Sequence, residues 1–259
     1  MGRWASRSKA LLLALLVAGG ALACAPDAGM PVAVAGVAPG GDIALSDGRT
    51  IRLSGLDWPG RERRRERERL VAGLQAMLTG EAVVLVVRGG ADRWGRIAGD
   101  LFVLRRGGRA PLWVQGEMVE DGFVRLWPEA AARTCLADLK EREQLARQGG
   151  LGLWAALAQR PPQRRLPAQA RMPISRRIVY EGVVHSVRRG RVVTFVNFVG
   201  PRGSTPSWLI GRRLAADLAR SGRDPATFAG KRLILRAEFA AAPRPTLTVT
   251  LPEAVDVLE

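Results

Sequence analysis

The sequence predicts an α+β, mainly β protein: a five-stranded OB-type barrel with covering helices, followed by a second, smaller OB-like barrel. Three observations predict it. Short alternating apolar runs bounded by Gly and Asp-Gly turns lie on both sides of one long helical stretch. A basic segment at 159–173, containing Pro161, Pro162, Pro167 and Pro173 and no apolar period, reads as a stiff linker. Beyond it, residues 174–259 run strand, strand, strand, helix, strand, strand.

The first 23 residues read as an export leader. Arg3, Arg7 and Lys9 precede an apolar run from Ala10 to Leu22, and Ala21-Leu22-Ala23 forms a cleavage site. That run is short of the ~20 residues a membrane-spanning helix needs. Two destinations stay open: a periplasmic or secreted protein, or a membrane-anchored lipoprotein carried by an acylated Cys24. The net charge of +16 comes almost entirely from arginine, since lysine occurs only at Lys9, Lys140 and Lys231. Such charge keeps a chain soluble and also attracts polyanions.

From residue 34 the first domain extends to 158. Val34–Leu53 reads as two or three strands with turns at Gly40-Gly41 and Asp47-Gly48, ending in the Asp57-Trp58-Pro59-Gly60 corner. Arg61–Leu78 reads as a helix with Leu70, Leu74, Met77 and Leu78 on one face and an arginine-glutamate start. Glu81–Arg88 and Arg96–Leu104 are paired strands, and Leu112–Asp121 and Glu129–Gln148 are helices. In the second domain, strands are expected at Ile178–Val187, Arg191–Phe198, Trp208–Ile210, Leu233–Phe239 and Leu247–Val257, with a helix over Arg212–Ala219.

Composition excludes several chemistries. A single histidine, His185, in a strand pattern leaves no Ser-His or Cys-His nucleophile pair. Two cysteines make neither a disulfide framework nor a cysteine metal site, and nothing in their spacing requires a Cys24–Cys135 bridge, although an oxidising compartment allows one. Trp94, Trp113, Trp127 and Trp154 are expected chiefly in the core. Phe195 and Phe198 have opposite parity in one strand and so cannot share a face.

The segment SDGRTIRLSGLDWPG, followed by a helix, an alternating strand, Asp92-Arg93-Trp94-Gly95-Arg96, Glu143 to Arg147 and Gly152-Leu153-Trp154, resembles the thermonuclease family of staphylococcal-nuclease-like domains. The resemblance runs in order from about Val34 to Trp154. It implies calcium-dependent hydrolysis of single-stranded or unstructured nucleic acid. Arg52 and Arg96 fall on the two arginines with which the family grips phosphate, a role suited to forked guanidinium donors. Asp57 falls on a calcium ligand, with the Trp58 carbonyl beside it, and Asp42 on the second carboxylate once a one-residue gap is allowed. Trp127, next to Pro128, takes the place of an aromatic that stacks on bases.

Gly60 stands where the family has the glutamate that orders the attacking water, and Glu62 is the nearest replacement. Residues 174–259 are similar to the C-terminal OB-like extension of some exported bacterial thermonuclease-like proteins. The competing expectation is a degenerate member that binds nucleic acid or another polyanion without cutting it.

Overall fold

The computed structural model describes residues 24–26, 29–60, 64–155, 176–201, 205–240 and 245–258. The expected leader at 1–23, the linker at 159–173 and Glu62 lie outside the described residues.

The chain is mixed α and β, mainly β, and builds two curled sheets. The first begins with β1 (Met30–Val32) and β2 (Val34–Val37), a few residues earlier than the apolar pattern indicates. It continues through β3 (Ile43–Leu45), β4 (Thr50–Leu53) and the short β5 (Leu56–Asp57) into helix α1 (Arg64–Leu78). Then come β6 (Val83–Ala91), β7 (Arg96–Val103), β8 (Leu112–Trp113), α2 (Val114–Glu120), β9 (Arg125–Leu126) and α3 (Leu136–Gln148). The helix expected from Leu112 opens instead as two strand residues pairing with β7, and that expected from Glu129 opens as a 3-10 turn over Ala130–Cys135.

Closure depends on the break at Ala33. Before it, β1 pairs antiparallel with β6; after it, β2 pairs antiparallel with β3. One bent strand therefore joins the two ends of the path β3-β4-β7-β6, making a closed five-stranded barrel. β4 and β7 run parallel, with Thr50 opposite Arg96 and Arg52 opposite Ala98. Strand alternation sends Ile51 and Leu53 into the core, where both are fully buried, and leaves Thr50 and Arg52 on the outer face. Leu70, Leu74 and Leu78 of α1, one turn apart, are buried against this core, and Met77 packs at its margin. The arginine-rich start of α1 is exposed, with an i,i+4 pair between Arg64 and Glu68 at 2.7 Å.

The second sheet comprises β10 (Arg176–Arg189), β11 (Val193–Phe198), β12 (Ser207–Gly211), helix α4 (Arg212–Arg220), β13 (Arg232–Ala240), β14 (Thr246–Thr248) and β15 (Val255–Leu258). The single final strand expected over Leu247–Val257 is thus two, separated by a 3-10 turn at Pro252–Ala254. The order is β10-β11-β12-β14-β13, and β13 returns to pair with β10. β12 and β14 run parallel. The connectivity repeats that of the first barrel: the third and fifth main strands are the parallel neighbours, and a helix links the third to the fourth. Trp208, Phe228, Leu233 and Leu235 fill its core. Phe198 is buried against Tyr180, while Phe195 lies on the other face under Arg188, as their parity requires.

Cys24 and Cys135 form a disulfide that ties the segment before β1 to the start of α3. The bridge occupies the sulfur that acylation of Cys24 would need. A buried cluster surrounds it: Asp100 accepts from Arg88 at 2.6 Å, from Gln115 at 2.7 Å and from Ser54. Burial nevertheless holds the Asp100 carboxyl above its ordinary range.

The two barrels are joined by charge. Glu143 of α3 and Arg236 of β13, only 1% and 3% exposed, form an ion pair, and Asp256 accepts from Arg236 at 2.6 Å and from Lys140. Arg147–Glu181 at 2.9 Å and Arg133–Glu253 at 2.9 Å extend the seam. Burial opposes ionisation of Asp256, yet Arg236 and Lys140 hold its carboxyl below the ordinary value.

Two stability outcomes are expected. Replacing both cysteines by alanine removes a cross-link spanning 111 residues and should lower unfolding free energy by about 2–5 kcal/mol in denaturant melts. Glu143→Leu removes one of the two carboxylates on the buried Arg236 guanidinium and should cost about 3–5 kcal/mol, whereas Glu143→Leu combined with Arg236→Met should cost clearly less.

Candidate nucleic-acid interface

The loop between β6 and β7 is built by its own sequence. Asp92 accepts the backbone amides of Trp94 at 2.9 Å and Arg96 at 3.0 Å, and Gly95, at φ 76°, supplies the left-handed step that closes the turn. The Arg96 guanidinium then clamps the Asp92 carboxylate at 2.8 and 3.0 Å. This turn presents Trp94 to solvent. The indole is 62% exposed, with Arg93 over one part of the ring at 3.8 Å and Arg96 at 4.7 Å. The expectation that Trp94 belongs to the core is therefore corrected: a hairpin tip has no core to enter. Trp113 and Trp154 are buried as expected, and Trp127 is half-buried.

Arg96 also donates to both oxygens of Asp42 at 3.2 Å. The contact is fixed locally. Gly41, at φ 88°, lies directly under the Trp58 ring, where an added Cβ would fall 2.2 Å from a ring carbon. Only glycine lets the 41–42 turn lie against the Asp57-Trp58 corner.

Arg52 and Arg96 share a face. They sit on neighbouring parallel strands two residues out of register, which places their Cβ atoms roughly 8 Å apart from strand spacing and rise. Arg52 is bound by Glu129 at 2.9 and 3.0 Å, and Glu129 also takes the Gly55 amide at 2.8 Å. Asp57 is buried on β5, where β9 places Arg125 against it at 2.5 Å, and Arg177 of the second barrel lies 3.9 Å away. Arg177 also covers the Trp127 ring at 4.5 Å.

The structure thus brings Arg52, Arg96 and Asp42 to one side of the barrel and sets Asp57 and Trp127 at its junction with the second. Glu129, Arg125, Arg177, Arg93 and the outward Trp94 are partners that sequence reasoning did not select. For Trp94 the signal was present in the Asp-x-x-Gly turn that carries it; for the others, no short-range pattern links residues so far apart.

Calcium takes 6–8 oxygen ligands, and the Asp42 and Asp57 carboxylates each contact a guanidinium. Among the described residues, the one cluster of three metal-ligating side chains is Cys24, Asp100 and Cys135, whose sulfurs are bonded to each other. Gly60 is exposed and offers no side chain for a water.

No family model matches the chain, and no curated protein does.

The loop has a defined acid limit. Burial opposes ionisation of Asp92, but the Arg96 side chain and the Arg96 and Trp94 amides bring its pKa from 3.8 down to about 2. Because the folded value is the lower one, the pair is fully formed above the ordinary carboxylate range and is lost as pH falls toward about 2. The indole NMR signal of Trp94 should hold steady down to about pH 4 and move only below it, whereas Asp92→Asn should show the displaced signal at every pH.

Proposed function

We propose that this is an exported protein that holds single-stranded or unstructured nucleic acid on the outer face of β4 and β7. The observation that carries the reading is Trp94: an exposed indole flanked by two guanidinium groups, on the same side as Arg52. Unpaired bases have free π-faces and stack on exposed aromatics, while arginines alongside track the phosphates. A duplex keeps its bases stacked on each other and offers no free π-face.

The repeated strand order supports assigning both barrels to the OB type, an architecture whose open faces take single strands. The cross-link between Cys24 and Cys135 fits an oxidising compartment, and so supports export. With Cys24 in that bridge, the soluble form is favoured over lipid anchoring. Gly60 and the guanidinium-bound carboxylates favour binding over calcium-dependent hydrolysis.

Fluorescence anisotropy with oligothymidylate tests the reading. Binding should weaken steeply with salt, and Trp94→Ala should lose about 1–3 kcal/mol, the worth of one stacked base. Salt-independent binding, or an unchanged affinity in Trp94→Ala, would sink the proposal. A parallel digest of heat-denatured DNA should show no cleavage with calcium, in the unaltered chain or in Gly60→Glu. Cleavage by the unaltered chain that stops on chelation would replace the binding reading with the hydrolase one.

A further inference from the structure

We infer that the cleft between the two barrels is a phosphate-binding subsite for the same strand, with Arg177 of the second barrel as its gripping group. The inference rests on the binding reading above and adds the second barrel to it. The cleft has a volume of about 330 Å³ and is walled by Trp127–Ala130 on one side and by Arg177, Arg236, Glu238, Thr248 and Thr250 on the other. That is the lower end of the range for small-ligand sites, enough for one nucleotide unit and too small for a duplex.

Arg177 is prepared for an anion. Its guanidinium lies over the Trp127 ring at 4.5 Å, and a stacked guanidinium keeps its N–H edge available in the plane. Its carboxylate neighbour, Asp57, stands 3.9 Å away, beyond hydrogen-bonding distance, and the side chain is 48% exposed. Packing thus fixes the group, and among the described residues its carboxylate contact is the 3.9 Å one to Asp57. The residue sits on β10, which β13 anchors along Arg176–Val183, and β13 carries the Arg236 that is locked to Glu143. Arg236 also lines the cleft, and among the described residues its Nε has no hydrogen-bond partner although the side chain is 97% buried.

The cleft opens beside the face already described. Glu129 is both a wall of the cleft and the partner of Arg52, so a strand crossing Arg96 and Arg52 meets Arg177 next. Glu129 is taken up by Arg52 and the Gly55 amide. Glu238 is exposed on the wall and opposes an anion. Glu238 is therefore the carboxylate of the wall whose removal should improve the site.

The test uses the full chain with oligothymidylates of two lengths, a tetranucleotide and a dodecanucleotide. On the longer strand, Arg177→Gln should lower affinity and make the dependence of log K on log salt shallower by about 0.7, one phosphate contact on a single strand. Arg177→Lys, which keeps the charge and loses the flat stack, should retain the slope and bind more weakly than the unaltered chain. Glu238→Gln should tighten binding of the longer strand. Because both positions are exposed on strands, thermal melts should be unchanged; should Arg177→Gln nonetheless fail to fold, Arg177→Lys and Glu238→Gln decide the matter. An unchanged slope and affinity in Arg177→Gln overturns the subsite, and tighter binding would show Arg177 to be a plug over Trp127. Failure of the unaltered chain to bind either oligonucleotide overturns the earlier reading, and this one with it.

Discussion

The buried pairing of Glu143 with Arg236 is the constraint on which the arrangement of the molecule depends. Taking two charges out of water costs several kcal/mol per ion, and only a partner held in good geometry compensates it. Glu143 is so held: its other oxygen accepts the Leu126 amide at 2.9 Å. That hydrogen bond fixes β9, which pairs with β5 and brings Arg125 to Asp57. A single carboxylate therefore reaches the second barrel with one oxygen and the junction residues of the first with the other. Separating the barrels would expose the guanidinium to water but would also leave Glu143 without Arg236 and Asp256 without Lys140, so the seam opens as a unit or stays shut.

Strand parity does the rest of the positioning. A period of two sends Ile51 and Leu53 inward and Arg52 outward, and the parallel neighbour β7 sets Arg96 on the same side. The outer face consequently carries two arginines whose Cβ atoms lie roughly 8 Å apart. Each is held by a carboxylate, Arg52 by Glu129 and Arg96 by Asp42 and Asp92. Paired arginines of this kind are fixed in direction, and a phosphate must compete with the carboxylate or use the donors it leaves over. A base stacking on the exposed Trp94 would share the indole with Arg93 and Arg96, which lie over it at 3.8 and 4.7 Å.

Much of the fold was legible because periodicity is local. The stripe Leu70, Leu74, Leu78 identified α1, and the alternation in Val193–Phe198 identified both a strand and the opposite fates of its two phenylalanines. The register of β4 against β7 sets Arg52 and Arg96, far apart in sequence, on one face. What was not legible was set by tertiary contact. The pairing of Arg52 with Glu129 spans 77 residues and that of Arg236 with Glu143 spans 93, and neither has a sequence signature. The disulfide was hidden for the same reason: its cysteines approach only when the barrel brings residue 24 beside the start of α3. Trp94 was misplaced because hydrophobic character was given more weight than the turn that carries it.

The Cys24–Cys135 bridge has a consequence for survival against proteases. It turns nearly the whole first barrel into a covalent ring of residues, since 111 positions separate its ends. A protease that cuts one exposed loop inside that ring produces two pieces still tied by sulfur and still woven into the same sheet. The nicked molecule can keep its shape, and the damage becomes visible only once a reductant opens the ring.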